Sequence, residues 1–314
     1  LLVAAFFPKS KGWVYLLSQL TLLLTICSIL YDYRLYHSTT IVLPGALRQF
    51  TLVFVLVLVS ICFVFAREYN DENLMPRHEF FILGLLSTLG MMVLILSNNL
   101  LSAYLGIELM SLPIVAMIAM KRVKPRCLEA SMKYFVMSAV GSGLLLYGFS
   151  FLFGITHQLQ LKSISGVLLT QAHSTVLLWV AVSSILAGLL FKLGVAPFHS
   201  WVADVYDGAP NSVTLFMSTG PKVAVLVFLL IFLGCLHALS SIWQTIVIVA
   251  AMLSIALGNL VAIVQTNLKR MLAYSSVAHM GFLLLGVYGI TATSSTGLTL
   301  SPSMLFYILS YSTM

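Results

Sequence analysis

Charged residues are scarce in this 314-residue sequence. Asp, Glu, Lys and Arg make up only 8% of it, while 60% is hydrophobic and the mean hydropathy is +1.05. An ordinary soluble domain has about 25% charged residues, so lipid rather than water must surround most of this chain. The apolar runs are about 20 residues long and do not alternate, which excludes a membrane β-barrel. The sequence therefore predicts an all-α fold, a polytopic transmembrane helical bundle.

Motifs of soluble enzymes and metal sites are also missing. The sequence has no Gly-rich phosphate loop, nucleophile elbow or metal-ligand cluster, and its seven histidines are not spaced like paired haem ligands. We therefore expect no cofactor and no metal in this chain. Four cysteines lie in or beside apolar runs without CxxC spacing, which predicts neither a disulfide framework nor a metal site: Cys27, Cys62, Cys127 and Cys235.

Nine apolar runs are long enough to cross a bilayer, which takes about 20 helical residues. A polar hinge at 97–99 separates the third run from the fourth and predicts a tight hairpin. No soluble insertion or domain boundary is visible, so we expect a single transmembrane domain over 1–314. The runs lie at 13–31, 50–66, 79–97, 99–120, 127–154, 175–198, 211–235, 241–264 and 270–290, with a further run from 303.

The net charge of +7 comes mainly from basic residues in the short loops between the apolar runs. This placement indicates membrane topology rather than a nucleic-acid partner. Ten basic residues fall on the side of the N-terminal segment and the even-numbered loops, and three fall on the other. This bias supports nine alternating spans, with the even-loop side facing the cytoplasm or matrix. The ten are Lys9, Lys11, Arg67, Arg77, Lys121, Arg122, Lys124, Arg126, Lys269 and Arg270, and the three are Arg34, Arg48 and Lys162.

Ionisable residues inside the runs indicate function, because a charge at the centre of a membrane helix costs roughly 2.5–3.5 kcal/mol on insertion scales. Glu108 lies near the middle of the fourth run, and Lys192 lies deep in the sixth. Burial favours the neutral form of a lysine, whereas a nearby carboxylate favours its charged form. A proton relay needs these two opposing effects on the lysine. The alternative role for Glu108 and Lys192 is a static ion pair.

Three more ionisable residues lie in or beside the later runs. Lys222 follows Gly220-Pro221 in the seventh run, and since proline lacks a backbone donor we expect an interrupted helix there. His199 follows Lys192 by seven residues, about two turns, which would place both on one helix face. A kink at Pro197 in the turn between them is the alternative. His279 lies well inside the ninth run. Each histidine fits either a proton relay or a structural role.

A second acid–base pair lies at the start of the fifth run. Glu129 and Lys133 are spaced i, i+4, which favours a local ion pair. Proton uptake from the basic side of the membrane is the alternative role. The candidate site residues are Glu108, Lys192, Lys222, His199, His279 and Lys133.

Several of these residues lie in longer motifs, which are GMM (90–92), YLGIELMSLP (104–113), LEASMKYF (128–135), FKLGVAPFH (191–199), DVYDGAP (204–210), GNL (258–260), QTNLKR (265–270) and YSS (274–276). With these motifs, the chain from 65 to 314 resembles the antiporter-like membrane subunits of respiratory NADH:ubiquinone oxidoreductase (complex I). The likeness is to the subunit 2 type, equivalent to bacterial subunit N. The stretch at 204–210 separates this type from subunits 4 and 5 and from cation/proton antiporter subunits.

The resemblance implies roles for the matching residues. Glu108 would be the helix carboxylate paired with Lys192, a pump lysine beside a water-filled half-channel. Lys222 would pass charge along the membrane axis, and His199 and His279 resemble histidines on the same hydrated path. NADH, FMN, iron–sulfur clusters and ubiquinone would be bound by other subunits. The chain would then be a non-redox, proton-translocating subunit of an H⁺-translocating NADH:ubiquinone reductase.

The family's inverted five-helix repeats divide the sequence into leader helices at 1–78, a complete first repeat at 79–235 and a truncated second repeat at 241–314. We expect a chain incomplete at both ends, with a second polypeptide as one source of the missing C-terminal helices. The other implied partners are the lipid bilayer and membrane-arm subunits of complex I, including neighbouring antiporter-like subunits. The implied location is the mitochondrial inner membrane, with a bacterial plasma membrane as the alternative.

Two other functions use the same residues. A cation/proton antiporter subunit would move protons through the same buried charges without coupling to NADH. A membrane scaffold would hold these charges as static ion pairs. The number of costly buried ionisable positions argues against the scaffold.

Overall fold

The computed structural model describes residues 13–32, 45–72, 75, 77–121, 124–170, 176–293 and 302–313, and these ranges are almost entirely helical. Nine of their helices are long and apolar enough to cross a membrane, by length and composition. Each matches one of the nine predicted runs, and the predicted all-α polytopic bundle is confirmed. The helices are α1 (Trp13–Tyr31), α2 (Gly45–Glu72), α3 (Arg77–Leu96), α4 (Leu100–Ile118), α5 (Pro125–Thr156), α6 (Leu161–Thr170), α7 (Val176–Leu193), α8 (Ser200–Gly208), α9 (Asn211–Cys235), α10 (Ser240–Val264), α11 (Leu268–Thr293) and α12 (Pro302–Thr313), with a 3-10 turn at His237–Leu239.

Some sequence predictions fall outside these ranges. Lys9, Lys11, Arg34 and Arg122, which we counted for topology, lie outside the described residues. Residues 1–12 of the predicted leader and residues 294–301 and 314 of the predicted second repeat do so as well. The repeat boundaries at 79–235 and 241–314 stay predictions, although a turn does separate α9 from α10 between them.

The predicted hairpin between α3 and α4 is present. The Asn99 side chain caps α4 by accepting from the Leu101 backbone N–H at 2.9 Å. The backbone N–H of Leu161 donates to the Asn98 carbonyl at 2.9 Å, and that of Leu100 donates to the Leu159 carbonyl at 3.0 Å. These bonds fix the hairpin against the start of α6.

Helix α9 lies at the centre of the bundle, where 20 of its 25 residues are buried. It packs against α2, α3, α4 and α7. Beside it, α5 and α7 approach closely through small residues, since a Cβ on Gly188 would lie 2.8 Å from the Gly141 carbonyl oxygen. The buried lysines of α7 and α9 are therefore held between tightly packed helices.

The sixth predicted run, 175–198, is interrupted rather than continuous. Helix α7 ends at Leu193, and Gly194 follows with φ +72°. The N–H of Val195 donates to Leu190 and that of Gly194 to Phe191, each at 3.0 Å, which is the hydrogen-bond pattern of a glycine-terminated helix. The chain then turns from 194 to 199 before α8 begins.

Two predictions about helix continuity are wrong. Lys192 and His199 do not share a helix face, because the helix that would align them ends between them. The interruption predicted at Gly220-Pro221 is also absent from the described chain, where α9 runs through both residues. A proline removes only one backbone donor, and neighbouring helices in a membrane bundle tolerate that loss. The break occurs instead where Gly194 adopts a left-handed conformation.

Candidate functional site

Two of the described lysines are buried inside the bundle. Lys192 is 8% exposed and lies in the last turn of α7, while Lys222 is 3% exposed and lies near the middle of α9. A buried ammonium group is costly unless its protons are hydrogen-bonded. The contacts of these two groups therefore define the site.

Lys192 is held by serine hydroxyls. Its Nζ donates to Ser138 Oγ on α5 at 2.7 Å and to Ser111 Oγ on α4 at 3.4 Å. The Ser111 hydroxyl in turn donates to the Ile107 carbonyl at 2.8 Å, so it accepts from the lysine. Helices α4, α5 and α7 thus converge on one ammonium group.

Glu108 lies one turn before Ser111 on α4, but it does not contact Lys192 directly. Both residues are in the described part of the chain, and no ion pair within 4.0 Å joins them. Glu108 Oε1 is buried without a hydrogen-bond partner among the described residues. The described structure therefore shows no static salt bridge between the two groups.

Lys222 is held by hydroxyls from the two last helices. Its Nζ donates to Ser276 Oγ on α11 at 3.0 Å and to Tyr311 Oη on α12 at 3.3 Å. The same nitrogen lies 5.4 Å from the centre of the Tyr206 ring, a distance at which a cation is attracted to an aromatic face. Residues of α8, α11 and α12 thus surround this second ammonium group.

His279 belongs to the same cluster as Lys222. It follows Ser276 by three residues on α11, and its Nδ1 lies 2.7 Å from the Tyr307 hydroxyl. Its ring centroid lies 5.6 Å from that of Tyr311. Tyr307 and Tyr311 are spaced i, i+4 on α12, so one helix contacts both Lys222 and His279.

Helix α8 connects the two lysine environments. Trp201 donates from Nε1 to the Phe191 carbonyl at 3.1 Å, next to Lys192, and its ring lies 5.1 Å from that of Tyr134. Tyr206 lies further along α8, with its ring centre 5.4 Å from the Lys222 nitrogen. The Tyr206 hydroxyl is buried and has no hydrogen-bond partner among the described residues. The nine residues of α8 therefore contact the surroundings of both lysines.

His199 lies apart from these groups, at the start of α8. Its Nδ1 is buried and unpaired among the described residues, and its ring meets that of Tyr274 edge-on at 6.3 Å. Within the described ranges it makes no hydrogen bond to either buried lysine. Its relay role stays a prediction.

Lys133 lies in an ion network at the surface, at the end of the bundle where its side chain is 45% exposed. The predicted pair with Glu129 is present at 2.8 Å, and a second bond reaches Asp204 on α8 at 3.0 Å. Arg270 of α11 donates to the other oxygen of Asp204 at 2.7 Å. The network joins three helices whose loops were predicted on the same side of the membrane. Whether Lys133 takes up protons stays a prediction.

Sequence reasoning missed the hydroxyl partners of the lysines. Serines are frequent in the apolar runs, and only contacts between helices select Ser138 and Ser276 from the others. Ser111 could have been found from the sequence, because it lies one turn from Glu108. Tyr206 could also have been found, because it lies in the 204–210 motif. Nothing in the sequence pointed to Tyr311. Groups of three or more potential metal ligands do not occur within the described ranges.

The chain is similar in sequence to known membrane proteins. Residues 97–314 match the family described as NADH:quinone oxidoreductase/Mrp antiporter, transmembrane. The chain is 45% identical to NADH-quinone oxidoreductase subunit N of Coxiella burnetii, in an alignment covering 100% of this chain and 66% of that protein. It is 44% identical to the protein of the same name from Thioalkalivibrio sulfidiphilus, covering 91% of this chain and 61% of the relative. The chain thus spans less than two thirds of the length of these relatives.

Chains in two solved membrane complexes have a fold similar to that of this chain. A chain of respiratory complex I from Thermus thermophilus superposes with a TM-score of 0.77 at 29% identity, covering 99% of this chain and 65% of the other. A chain of the Mrp complex from Dietzia sp. DQ12-45-1b gives a TM-score of 0.78 at 20% identity, covering 99% of this chain and 59% of the other. At that lower identity the likeness concerns the fold alone.

Proposed function

The chain belongs to the NADH:quinone oxidoreductase/Mrp antiporter transmembrane family, and from this we propose that it translocates protons as a non-redox membrane subunit of an NADH:quinone oxidoreductase. One observation carries the proposal. Lys192 and Lys222 are buried ammonium groups bonded to hydroxyls rather than to carboxylates. Such groups exchange protons more readily than a lysine in a tight ion pair, because no adjacent negative charge fixes the proton.

In this proposal, Glu108 couples quinone reduction to proton release from Lys192. Glu108 lies one turn from Ser111, which accepts a hydrogen bond from Lys192. Because charges in a low-dielectric interior interact beyond direct contact, a change in the charge of Glu108 would alter how strongly the lysine holds its proton. Quinone reduction elsewhere in the complex would supply that change along the line of buried charges. Lys192 then releases its proton when the balance shifts.

The proton path proposed for this chain continues along the membrane through α8 to the second lysine. Trp201 and Tyr206 contact the surroundings of Lys192 and Lys222 respectively, and His279 with Tyr307 follows Lys222. Lys133 at the surface is the proposed uptake point. Its partner Asp204 lies on α8, the same short helix that reaches both lysines.

The relatives also bear on location and partners. The two compared relatives named NADH-quinone oxidoreductase subunit N are bacterial proteins, which favours a bacterial plasma membrane over the mitochondrial inner membrane that the sequence analysis placed first. We propose neighbouring membrane-arm subunits, including antiporter-like ones, as partners. NADH, flavin, iron–sulfur and quinone sites are proposed for other subunits. A second polypeptide that supplies further C-terminal helices stays a prediction.

A cation/proton antiporter independent of NADH is not favoured. The likeness to the Mrp complex is at 20% identity and reflects a shared fold. The relatives at 44–45% identity carry the name of an NADH-quinone oxidoreductase subunit. Sodium-driven transport that continues without NADH would reverse this preference.

The proposal is tested with Glu108→Gln and Lys192→Ala in the source organism. We expect NADH-driven acidification of inverted membrane vesicles to fall severalfold in both, while a native gel shows the assembled complex. Lys162→Ala is the matched control, because Lys162 is an exposed lysine on α6. Full acidification by both variants in the assembled complex would overturn the proposal.

A further inference from the structure

The motifs at 204–210 and 265–270 meet at the end of the bundle that carries the surface ion network. Three side chains at the start of α11, which together we call the α11 clamp, each bond a different residue of α8 or of the turn after it. The three bonds are Arg270 to the Asp204 carboxylate at 2.7 Å, Asn267 Nδ2 to Asp207 Oδ1 at 2.7 Å and Lys269 Nζ to the Ala209 carbonyl at 3.0 Å.

Helix α8 depends on its neighbours for its position. It has only nine residues, it follows the turn at 194–199, and α9 begins at Asn211 just beyond its end. It packs against α5 and α11. The contact with α5 is close, because a Cβ on Gly208 would lie 2.5 Å from Ala130 Cβ. One exposed ion pair contributes little to stability, but three directed bonds from one segment fix where a helix this short lies.

The position of α8 matters for Lys222. Tyr206 lies between Asp204 and Asp207, and its ring centre is 5.4 Å from the Lys222 nitrogen. The attraction of a cation to an aromatic face extends to about 6 Å from the ring centre. A displacement of α8 away from the lysine by less than about 1 Å would therefore take the ring out of range.

We propose that Asn267 and Arg270 are positioning residues for proton transfer at Lys222, because the α11 clamp holds α8 where the Tyr206 ring faces the ammonium group. They act through α8 and Tyr206 rather than on the lysine itself. This inference rests on the proposed function, since it assumes that protons pass through Lys222. It gives the residues of the 265–270 motif a role in transport.

Asn267 allows the clamp to be opened without unfolding α11. Its Oδ1 accepts from the Lys269 backbone N–H at 3.0 Å, while its Nδ2 donates to Asp207. Asn267→Asp keeps the acceptor for the backbone but replaces the donor with a second carboxylate beside Asp207. Adding Asp207→Asn restores a donor and an acceptor with their places exchanged. The single variant therefore opens the contact, and the exchanged pair closes it again.

The test measures NADH-driven acidification of inverted vesicles. We expect its rate to fall about threefold in Asn267→Asp, a size that an exposed contact supports, and to return to the wild-type value in Asn267→Asp/Asp207→Asn. NADH oxidation by uncoupled vesicles and assembly on a native gel should stay at wild-type values in both, whereas a folding defect would lower them. Thr266→Asp is the matched control, because it adds the same charge at the neighbouring exposed residue.

Two results would overturn the role of the clamp. One is acidification by Asn267→Asp equal to that of Thr266→Asp. The other is an exchanged pair that pumps no better than Asn267→Asp, because the loss would then not come from the contact with Asp207.

The step through Tyr206 is tested by combining variants. Tyr206→Leu removes the ring, and we expect it to slow acidification at least as much as Asn267→Asp does. If the clamp acts through the ring, adding Asn267→Asp to Tyr206→Leu has no further effect, since coupled residues are not additive. A double variant whose loss is the product of the two single losses would overturn this step.

The outcomes separate the two proposals. If Lys192→Ala and Lys222→Ala pump normally in the assembled complex, the proposed function fails. If those two variants lose pumping while Asn267→Asp behaves like Thr266→Asp, only the inference about the clamp fails.

Discussion

Gly194 and Val202 lie so close together that a Cβ on residue 194 would come within 2.6 Å of Val202 Cγ2. Gly194 ends α7 directly after Lys192 and Leu193, and Val202 lies in the first turns of α8. The contact therefore sets the position of α8 relative to the lysine. It depends on the absence of a side chain at 194.

Gly194→Ala should destabilise this turn. The residue has φ +72°, where a side chain costs roughly 1 kcal/mol, and the overlap with Val202 adds to that. We expect a lower thermal midpoint of the purified complex, together with reduced pumping. Gly143→Ala is the control, because a Cβ there meets nothing within 4 Å. A midpoint no lower than that of the control would contradict the assigned geometry.

Ser138→Ala should weaken proton transfer at Lys192. The lysine loses its 2.7 Å acceptor, and a hydrogen bond to a buried charge contributes about 1.5–3 kcal/mol. We expect NADH-driven pumping to fall about tenfold or more, with little change in assembly. Ser150→Ala removes an exposed hydroxyl from the same helix and should leave pumping unchanged. Equal pumping by the two variants would show that Ser138 does not support the lysine.

Asp204→Asn should reduce the salt sensitivity of the complex. Asp204 joins Lys133 to Arg270 in an exposed network, and salt screens interactions between exposed charges. We expect the thermal midpoint to fall less on raising the salt concentration in the variant than in the wild type. Glu79→Gln changes an exposed acid outside the network and serves as the control. The same salt response in all three proteins would mean that the network contributes nothing measurable to stability.

The helices were predictable because lipid imposes long apolar runs, whereas the position of the break was not. Pro221 carried the stronger local signal, yet α9 continues through it. The break follows Gly194, where the Ala196 N–H donates to Ser254 Oγ of α10 at 2.9 Å. That acceptor lies 58 residues away in sequence, so hydropathy and local propensity could not place it.

The same limit applies to the site. Lys192 and Lys222 stood out because charge is costly in a membrane. Their partners Ser138 and Ser276 are each 54 residues from the lysine they bind, one before it and one after it. Burying a serine or a tyrosine such as Tyr311 in a membrane helix costs little free energy, so the sequence does not single these residues out. The register between helices, which only the structure gives, selects them.

The most direct test of proton translocation through this chain is the number of protons moved per NADH oxidised in Lys192→Ala, measured in sealed inverted vesicles with the assembled complex. We expect this ratio to fall below that of the wild type and of Lys162→Ala, because a buried proton carrier is lost while the redox reaction is carried out elsewhere. A ratio equal to the wild type would contradict the account, and Lys192 would then be a structural residue.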